Sequence, residues 1–207
     1  MSLPPSDQPH TSLSTHLAEE TLHQTRWLRL KKLSYMDESQ VKREWDCVER
    51  TTRSGEIDGV DIIATMIPLE ETEKHVVLIS QYRPPMRAYC IEFPAGLCDS
   101  GESAEQAAER ELLEETGLKI CKISRVSSIV GLEVGMTNAN CRIVCCEVEP
   151  IKISERPKQQ LEDEEHITIH LVKLSKLFDV LEEMTKNHGF IIDAKVWTYA
   201  FGISNIH

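Results

Sequence analysis

Apolar and polar positions alternate from about Arg26 to Asp37 ("RWLRLKKLSYMD"), with Trp27, Leu28, Leu30, Leu33 and Tyr35 as the apolar set. That alternation predicts a strand. "DES" offers a turn. "KREWDCVERTT" follows with Trp45, Cys47 and Glu49 on one side, and the pair predicts a hairpin. "DGVDIIATMIPL" and "KHVVLISQYR" are rich in β-branched and apolar residues, bounded by Gly59, Pro68 and the acidic turn from Glu70 to Glu73. Both predict strands. "AYCIEF" predicts a shorter one stopped by Pro94, and "ISRVSSIVGL", "NCRIVCCEVE" and "HITIHLV" predict three more.

The pattern changes at Ser103. Ser103 and Gln106 have the spacing of a capping box, good helix formers fill the following positions, and Gly117 stands where a left-handed cap ends a helix. A second helix is predicted from Ser175 to Asn187, ended by Gly189, and a third begins near Asp193 in "DAKVWTYAFG". Strands with helices between them predict a mixed α+β class. Residues 1–25 read as a polar, mobile N-terminus, 26–57 as an added β subdomain, and 58–207 as the main domain. "EPIKISERPKQQLEDEEH" is a long polar loop between two strands, and such loops in compact domains are functional or disordered.

Charge narrows the function. With 23 basic and 34 acidic residues the formal charge is −11, which speaks against a general nucleic-acid surface. A small phosphate-bearing substrate stays open, because a cation can mediate between two anions. The seven cysteines are odd in number and form no CxxC pair, so reduced thiols are expected rather than a disulfide framework or a zinc site. The opening "MSLPPSDQPHTSLSTH" lacks the apolar core of a secretion signal, and no apolar run approaches the ~20 residues of a membrane span. The expectation is a cytoplasmic protein, with the nucleus as a second compartment, that binds neither nucleic acid nor membrane.

One stretch conflicts with local electrostatics. Glu111 and Glu115 share a helix face, and Glu114 lies beside Glu111. Each unrelieved like-charge pair at this spacing costs roughly 0.2–0.5 kcal/mol, and the carboxylates sit at the unfavourable end of the helix dipole. The pattern calls for a counter-charge. Arg110 projects away from Glu115, so a divalent cation is the better candidate, and hard oxygen ligands suit Mg²⁺ or Mn²⁺. Carbonyls of the preceding Pro94-Ala95-Gly96 segment can reach such a cation. Ala104, Ala107 and Ala108 fall on nearly the same face and are expected to leave room for metal and substrate. Glu102 and Arg110 bracket the helix as an ion pair.

From Gly96 to Leu118 the chain resembles the Nudix box. Gly96, five residues, Glu102, seven residues, then "RELLEETGL" fill every fixed position. "WDCVERTTR", "QYRPPMRAYCIEFPAGL" and "IIDAKVWTYA" are similar to the ADP-ribose/ADP-sugar pyrophosphatase branch of that superfamily. The resemblance covers about Trp27 to Ile203. It implies an α/β/α sandwich around a mixed sheet with an N-terminal antiparallel β subdomain, a homodimer, and Mg²⁺-dependent cleavage of ADP-ribose and related ADP-sugars to AMP and sugar phosphate.

The resemblance also assigns residues. Glu111 and Glu115, with the Ala95 carbonyl, match metal ligands, and Glu114 is an additional one. Glu165 matches the distal-loop general base, with Glu114 as its rival. Trp27 and Trp45 match aromatics that sandwich the adenine, one from each subunit. Arg50, Arg83, Glu92, Leu97 and Glu133 fall at substrate-contacting positions. Gly96, Glu102, Arg110 and Gly117 support the box. One segment departs from the branch: where a proline associated with ADP-ribose preference is usual, this chain has Glu133-Val134-Gly135. Hydrolysis of other nucleoside diphosphates, such as 8-oxo-dGDP, is the alternative reading. A non-catalytic ADP-ribose sensor ranks below it, because the box is intact.

Overall fold

The computed structural model describes residues 13–205. Among the described residues the chain divides into two compact units, one running up to residue 53 and including 131–139, the other holding 54–130 and the residues from 140 on. The return of residues 131–139 to the first unit was not expected.

In the smaller unit β1 (Thr15–Gln24), β2 (Leu28–Met36) and β3 (Lys42–Arg50) form an antiparallel sheet in that order. The β2–β3 hairpin turns at Asp37, whose carboxylate accepts from the Ser39 and Val41 amides at 2.9 Å each. Thr15–Gln24 was expected to be mobile and is a strand; residues 1–12 lie outside the described residues. No residue of β1 is buried, and its two leucines, Leu17 and Leu22, fall at bulges, so no regular alternation announces the strand. Backbone pairing to β2 holds it, together with Lys31, which is 7% exposed and sits 2.6 Å from Glu19 and 2.9 Å from Glu49. Segment 131–139 joins this unit through the Val48 amide, which donates to the Met136 carbonyl at 2.9 Å.

The larger unit contains β4 (Gly59–Met66), β5 (His75–Arg83), β6 (Ala88–Glu92), β7 (Ala95–Leu97), α1 (Ala104–Thr116) and β8 (Ile120–Val126). The chain passes through the short β9 (Val130–Gly131) and, after the smaller unit's segment, returns in β10 (Asn140–Val148). Next come β11 (Thr168–Lys173), a 3₁₀ turn (Leu174–Lys176), α2 (Leu177–His188), β12 (Ile191–Ile192) and α3 (Ala194–Ser204). The sheet path is β12-β6-β5-β4-β10-β8, with β11 on β5 and β7 on β4. β10 runs parallel to β4 and β12 parallel to β6, and the remaining pairs are antiparallel.

Alternation along β4 explains the two cores. Val60, Ile62, Ala64 and Met66 face α1, while Ile63 faces α2 and α3. Helices therefore cover both faces of a mixed sheet, the α/β/α arrangement. β8 begins at Ile120, three residues before the predicted strand. It bulges twice against β10, so its core-facing Ile120, Ile123 and Val126 recur every third residue and hide the two-residue period. Among the described residues no helix is long and apolar enough to cross a membrane, and all seven cysteines are free thiols.

Candidate active site

The capping box at Ser103 is formed in both directions: Gln106 N–H donates to Ser103 Oγ at 3.3 Å, and Ser103 N–H to Gln106 Oε1 at 2.9 Å. α1 ends at Gly117 with φ 69°, its amide donating to the Leu113 carbonyl. A Cβ there would meet the Lys158 carbonyl and Pro157 at 2.8 Å each, so both the left-handed backbone and the close packing require glycine. Ala104, Ala107 and Ala108 are at most 7% exposed and pack into the α1 core. The expectation that they open space for metal is thus corrected: their small side chains let the helix approach β4 and β10.

The box carboxylates face the irregular strand β7. Its residues pair with β4 as Gly59↔Leu97, Val60↔Gly96 and Asp61↔Ala95. A Cβ on Gly96 would collide with the Glu111 carboxylate, so glycine permits that side chain to lie against the backbone. The Ala95 amide donates to Glu115 Oε2 at 3.0 Å.

Arg110 is the hub of the cluster. Its Nε and Nη2 donate to the two Glu102 oxygens at 3.0 and 2.9 Å, its Nη1 to Glu111 at 2.8 Å and Glu114 at 3.1 Å, and its Nη2 to the Leu97 carbonyl at 2.8 Å. The guanidinium is held protonated most strongly by Glu102, while Arg110 keeps the Glu102 carboxyl below its usual range. Glu111 moves the other way, because burial outweighs its pairing with Arg110. Glu115 is 3% exposed. Burial pushes its pKa up to about 8, against the Ala95 amide and with further repulsion from Glu111 and Glu165. Arg110 leaves Glu115 without an ion pair among the described residues. The same residues contain no group of three or more His, Cys, Asp or Glu side chains arranged to hold a metal.

Arg83 and Glu92 form a two-pronged pair, Nε to Oε1 at 2.8 Å and Nη2 to Oε2 at 2.6 Å. Two expected substrate contacts therefore neutralise each other across the β5–β6 hairpin. Arg83 still acts at the cluster, where its charge lowers the Glu115 pKa. Glu165 is half-buried, and its carboxylate accepts from the Glu162 amide at 3.0 Å. It lies close enough for its charge to be felt at both Glu111 and Glu115. Of the expected residues, Arg83, Glu92, Ala95, Gly96, Leu97, Glu102, Arg110, Glu111, Glu114, Glu115, Gly117 and Glu165 thus fall in the larger unit.

The other four belong to the smaller unit. Trp27 is 56% exposed, with the Arg26 guanidinium 4.2 Å over its ring. Trp45 is 51% exposed, and its Nε1 donates to the Gly135 carbonyl at 3.0 Å. Arg50 ends β3 opposite Leu28. Glu133 turns the chain, its carbonyl accepting from the Met136 and Thr137 amides. Trp45 stands opposite Leu33, five positions along β2 from Leu28, the residue that follows Trp27, which is ~17 Å in a strand. The two rings of one chain therefore cannot enclose a single base.

Two contributors were not foreseen. Gln159 Nε2 donates to the Glu115 carbonyl at 2.6 Å and the Ile167 carbonyl at 3.1 Å; its polar loop gives no sequence signal for this. Lys195 Nζ lies 3.2 Å from Asp61 Oδ1, and the Cys141 thiol donates to Asp61 Oδ2 at 3.0 Å. A lone acid within the apolar run "GVDIIATMI" was the available clue to a buried partner.

Comparison with known proteins places this geometry. A profile described as "NUDIX domain" matches residues 61–194. An uncharacterized Nudix hydrolase of Schizosaccharomyces pombe is 41% identical over 180 residues, covering 86% of each chain. The ADP-ribose pyrophosphatase of Saccharomyces cerevisiae is 39% identical, over 86% of this chain and 77% of the relative. The ADP-sugar pyrophosphatase of Mus musculus is 34% identical, over 92% and 86%. A crystal structure described as an ADP compounds hydrolase has the same fold, with a TM-score of 0.65 at 21% identity over 91% of this chain and 90% of that one. The chain belongs to the Nudix hydrolase family, enzymes that hydrolyse nucleoside-diphosphate-linked substrates.

Proposed function

We propose that this Nudix hydrolase cleaves the diphosphate linkage of ADP-ribose and related ADP-sugars, releasing AMP and a sugar phosphate. The observation that carries the reading is Glu115, buried at the end of the box helix amid the charges of Glu111 and Glu165, in a chain whose relatives include ADP-ribose and ADP-sugar pyrophosphatases. The donor set is all oxygen and carries excess buried negative charge, which fits a hard divalent cation. Glu111, Glu115 and the Ala95 carbonyl would hold Mg²⁺ or Mn²⁺, with Glu114 as a further ligand once it and Glu111 shift from Arg110. When bound, the ion supplies Lewis-acid neutralisation of the diphosphate charge.

The chain's own groups do the rest. Arg110, itself held by Glu102, is the counter-charge of Glu111 and Glu114 when no ion is bound. Glu165 accepts the proton of the attacking water, with Glu114 as the alternative base. Arg83 supports the phosphates, with Glu92 and Leu97 beside it. Trp27 and Trp45 stack on the base, each with a ring from a second copy, while Arg50 and Glu133 bound the remaining nucleotide. Register along β2 favours that division between two chains. So does the apolar surface of the small sheet, where Leu17, Leu22, Leu28 and Leu30 are 38–48% exposed, an expanse a homodimer would cover. Free thiols throughout suit the cytoplasm, with the nucleus as a second compartment.

The altered Glu133-Val134-Gly135 segment favours one second reading, hydrolysis of another nucleoside diphosphate. Incubation with Mg²⁺ and a panel of ADP-ribose, ADP-glucose, NAD and 8-oxo-dGDP decides between them. AMP appearing fastest from ADP-ribose is the expected result. Faster turnover of 8-oxo-dGDP would transfer the assignment to the second reading, and tight binding without turnover would leave a sensor.

A further inference from the structure

A cavity of about 490 Å³ lies along β11, and none of Glu111, Glu114, Glu115 or Glu165 lines it. Five consecutive β11 residues, Ile169 to Lys173, form its floor. The loop from 151 to 157 makes one wall and α2 with its 3₁₀ turn the other. Its surface is mainly aliphatic, from Leu118, Ile151, Ile153, Leu171, Val180 and Met184. Such a volume and lining fall within the range of small-molecule sites, roughly 300–1,000 Å³.

The charges on the lining are selective. In a chain of net charge −11, the cavity presents Arg156, Lys173 and Lys176 against a single acid, Glu155. Lys173 is already engaged, 3.0 Å from Glu71 and 3.8 Å from Glu73. Among the described residues Arg156 donates to carbonyls, those of Ile153 at 2.7 Å and Glu155 at 2.9 Å, and has no ion pair. Lys176 has no ion pair among the described residues. His170 adds no charge at neutral pH: burial lowers its pKa and its Nε2 is 2.9 Å from Ser80 Oγ. Two cations are therefore available beside an apolar trough.

We propose that this cavity is a second binding site, distinct from the carboxylate cluster, for an amphipathic anion whose acyl chain or ring system lies along β11 and whose carboxylate or sulfonate meets Arg156 and Lys176. The site is mechanically joined to α1. The wall residue Pro157 abuts Gly117, and the chain then continues to Gln159, bonded to the Glu115 carbonyl, and to Gln160, whose amide donates to the Glu114 carbonyl at 2.8 Å. An occupant pressing on this wall bears on the last turn of the helix that carries the acidic cluster.

The test uses the full chain and decanoate, with decanol as its uncharged counterpart, followed by heteronuclear NMR. Saturable shifts are expected at Ile151, Ile153, Leu171 and Met184, extending through Gln159 to Glu114 and Glu115. Lys176→Glu should weaken decanoate binding about tenfold, the scale of one charge-assisted hydrogen bond, and leave decanol unaffected. Ile153→Trp, on the loop wall, should block both ligands at unchanged thermal midpoint. Met184→Trp serves the same purpose from α2 if the loop variant is unstable. Absence of saturable decanoate binding, shifts mapping elsewhere, or equal affinity in Lys176→Glu would overturn the proposal. These readouts need no substrate and no metal, so they stand apart from the hydrolytic assignment.

Discussion

The amide of Ala95 and the carboxylate of Glu115 are joined by a 3.0 Å hydrogen bond across twenty residues of sequence. It fixes the irregular strand before the box to the last turn of the box helix. The bond favours the charged carboxylate, but burial beside other negative charge outweighs it and pushes the Glu115 pKa up to about 8 from the usual carboxylate value of 4.5.

That shift has a definite sign. An acid whose folded pKa lies above its unfolded value contributes its stability fully below the unfolded pKa and loses it as pH rises through the folded one. Metal-free protein should therefore lose stability between about pH 4.5 and pH 8 through this group, as read by urea titration across that range. Glu115→Gln should flatten the slope. Mg²⁺ must displace the proton, so its affinity should rise up to tenfold per pH unit below about 8. If Glu115→Gln kept full hydrolytic activity, the metal assignment would be lost; the expected loss is on the order of 100-fold or more.

Arg110→Ala removes one cation from contact with Glu102, Glu111 and Glu114, whose side chains are 14%, 15% and 39% exposed. Removing one partner of a largely buried pair costs about 3–5 kcal/mol, and thermal denaturation should show a loss of that order. Arg110→Lys keeps the charge but cannot reproduce the fork on Glu102. It should recover only part of the stability and leave Glu111 less well oriented, visible as a weaker Mg²⁺ dependence of hydrolysis.

What could be read from the chain follows what left a pattern in it. The box helix declared itself at both ends, in Ser103-Gln106 and in Gly117, and its Glu102–Arg110 ion pair followed from spacing. β1 did not, because none of its residues is buried and alternation has nothing to record. β8 was displaced because two bulges broke its period. The small alanines of α1 were misread because their helical face is shared by the core and by Glu115, and only packing separates the two uses. Gln159 lies in a loop where no local rule distinguishes a clamp from a solvated amide.

Asp61 is 6% exposed and is held by Lys195 and the Cys141 thiol. Burial would lower the Lys195 pKa, but Asp61 reverses the shift and raises it. The Cys141 thiol is pushed up to about 12 by burial and then by Asp61. Lys195→Met should strand a buried carboxylate and cost about 3–5 kcal/mol. Combined with Asp61→Asn it should cost much less, because no unpaired charge remains. A double-mutant cycle from urea midpoints checks this; additive losses would show that the pair is not coupled.

The Trp45 indole is tied by its Nε1 to Gly135, within the segment that departs from the ADP-ribose-preferring pattern. Ring and segment are thus one structural unit, and substitution at either should be felt in substrate choice. Stacking on a base is worth about 1–3 kcal/mol. Trp27→Ala and Trp45→Ala should accordingly raise KM for ADP-ribose by roughly 5- to 100-fold with a smaller change in kcat. Trp45→Phe keeps an aromatic face but loses the donor to Gly135. It should raise KM less than the alanine variant and alter the ratio of kcat/KM between ADP-ribose and ADP-glucose, because the loop carrying Glu133 loses one of its ties to the small sheet. Steady-state kinetics on both substrates measure this, and an unchanged KM in both alanine variants would leave the two tryptophans as packing residues of the small sheet.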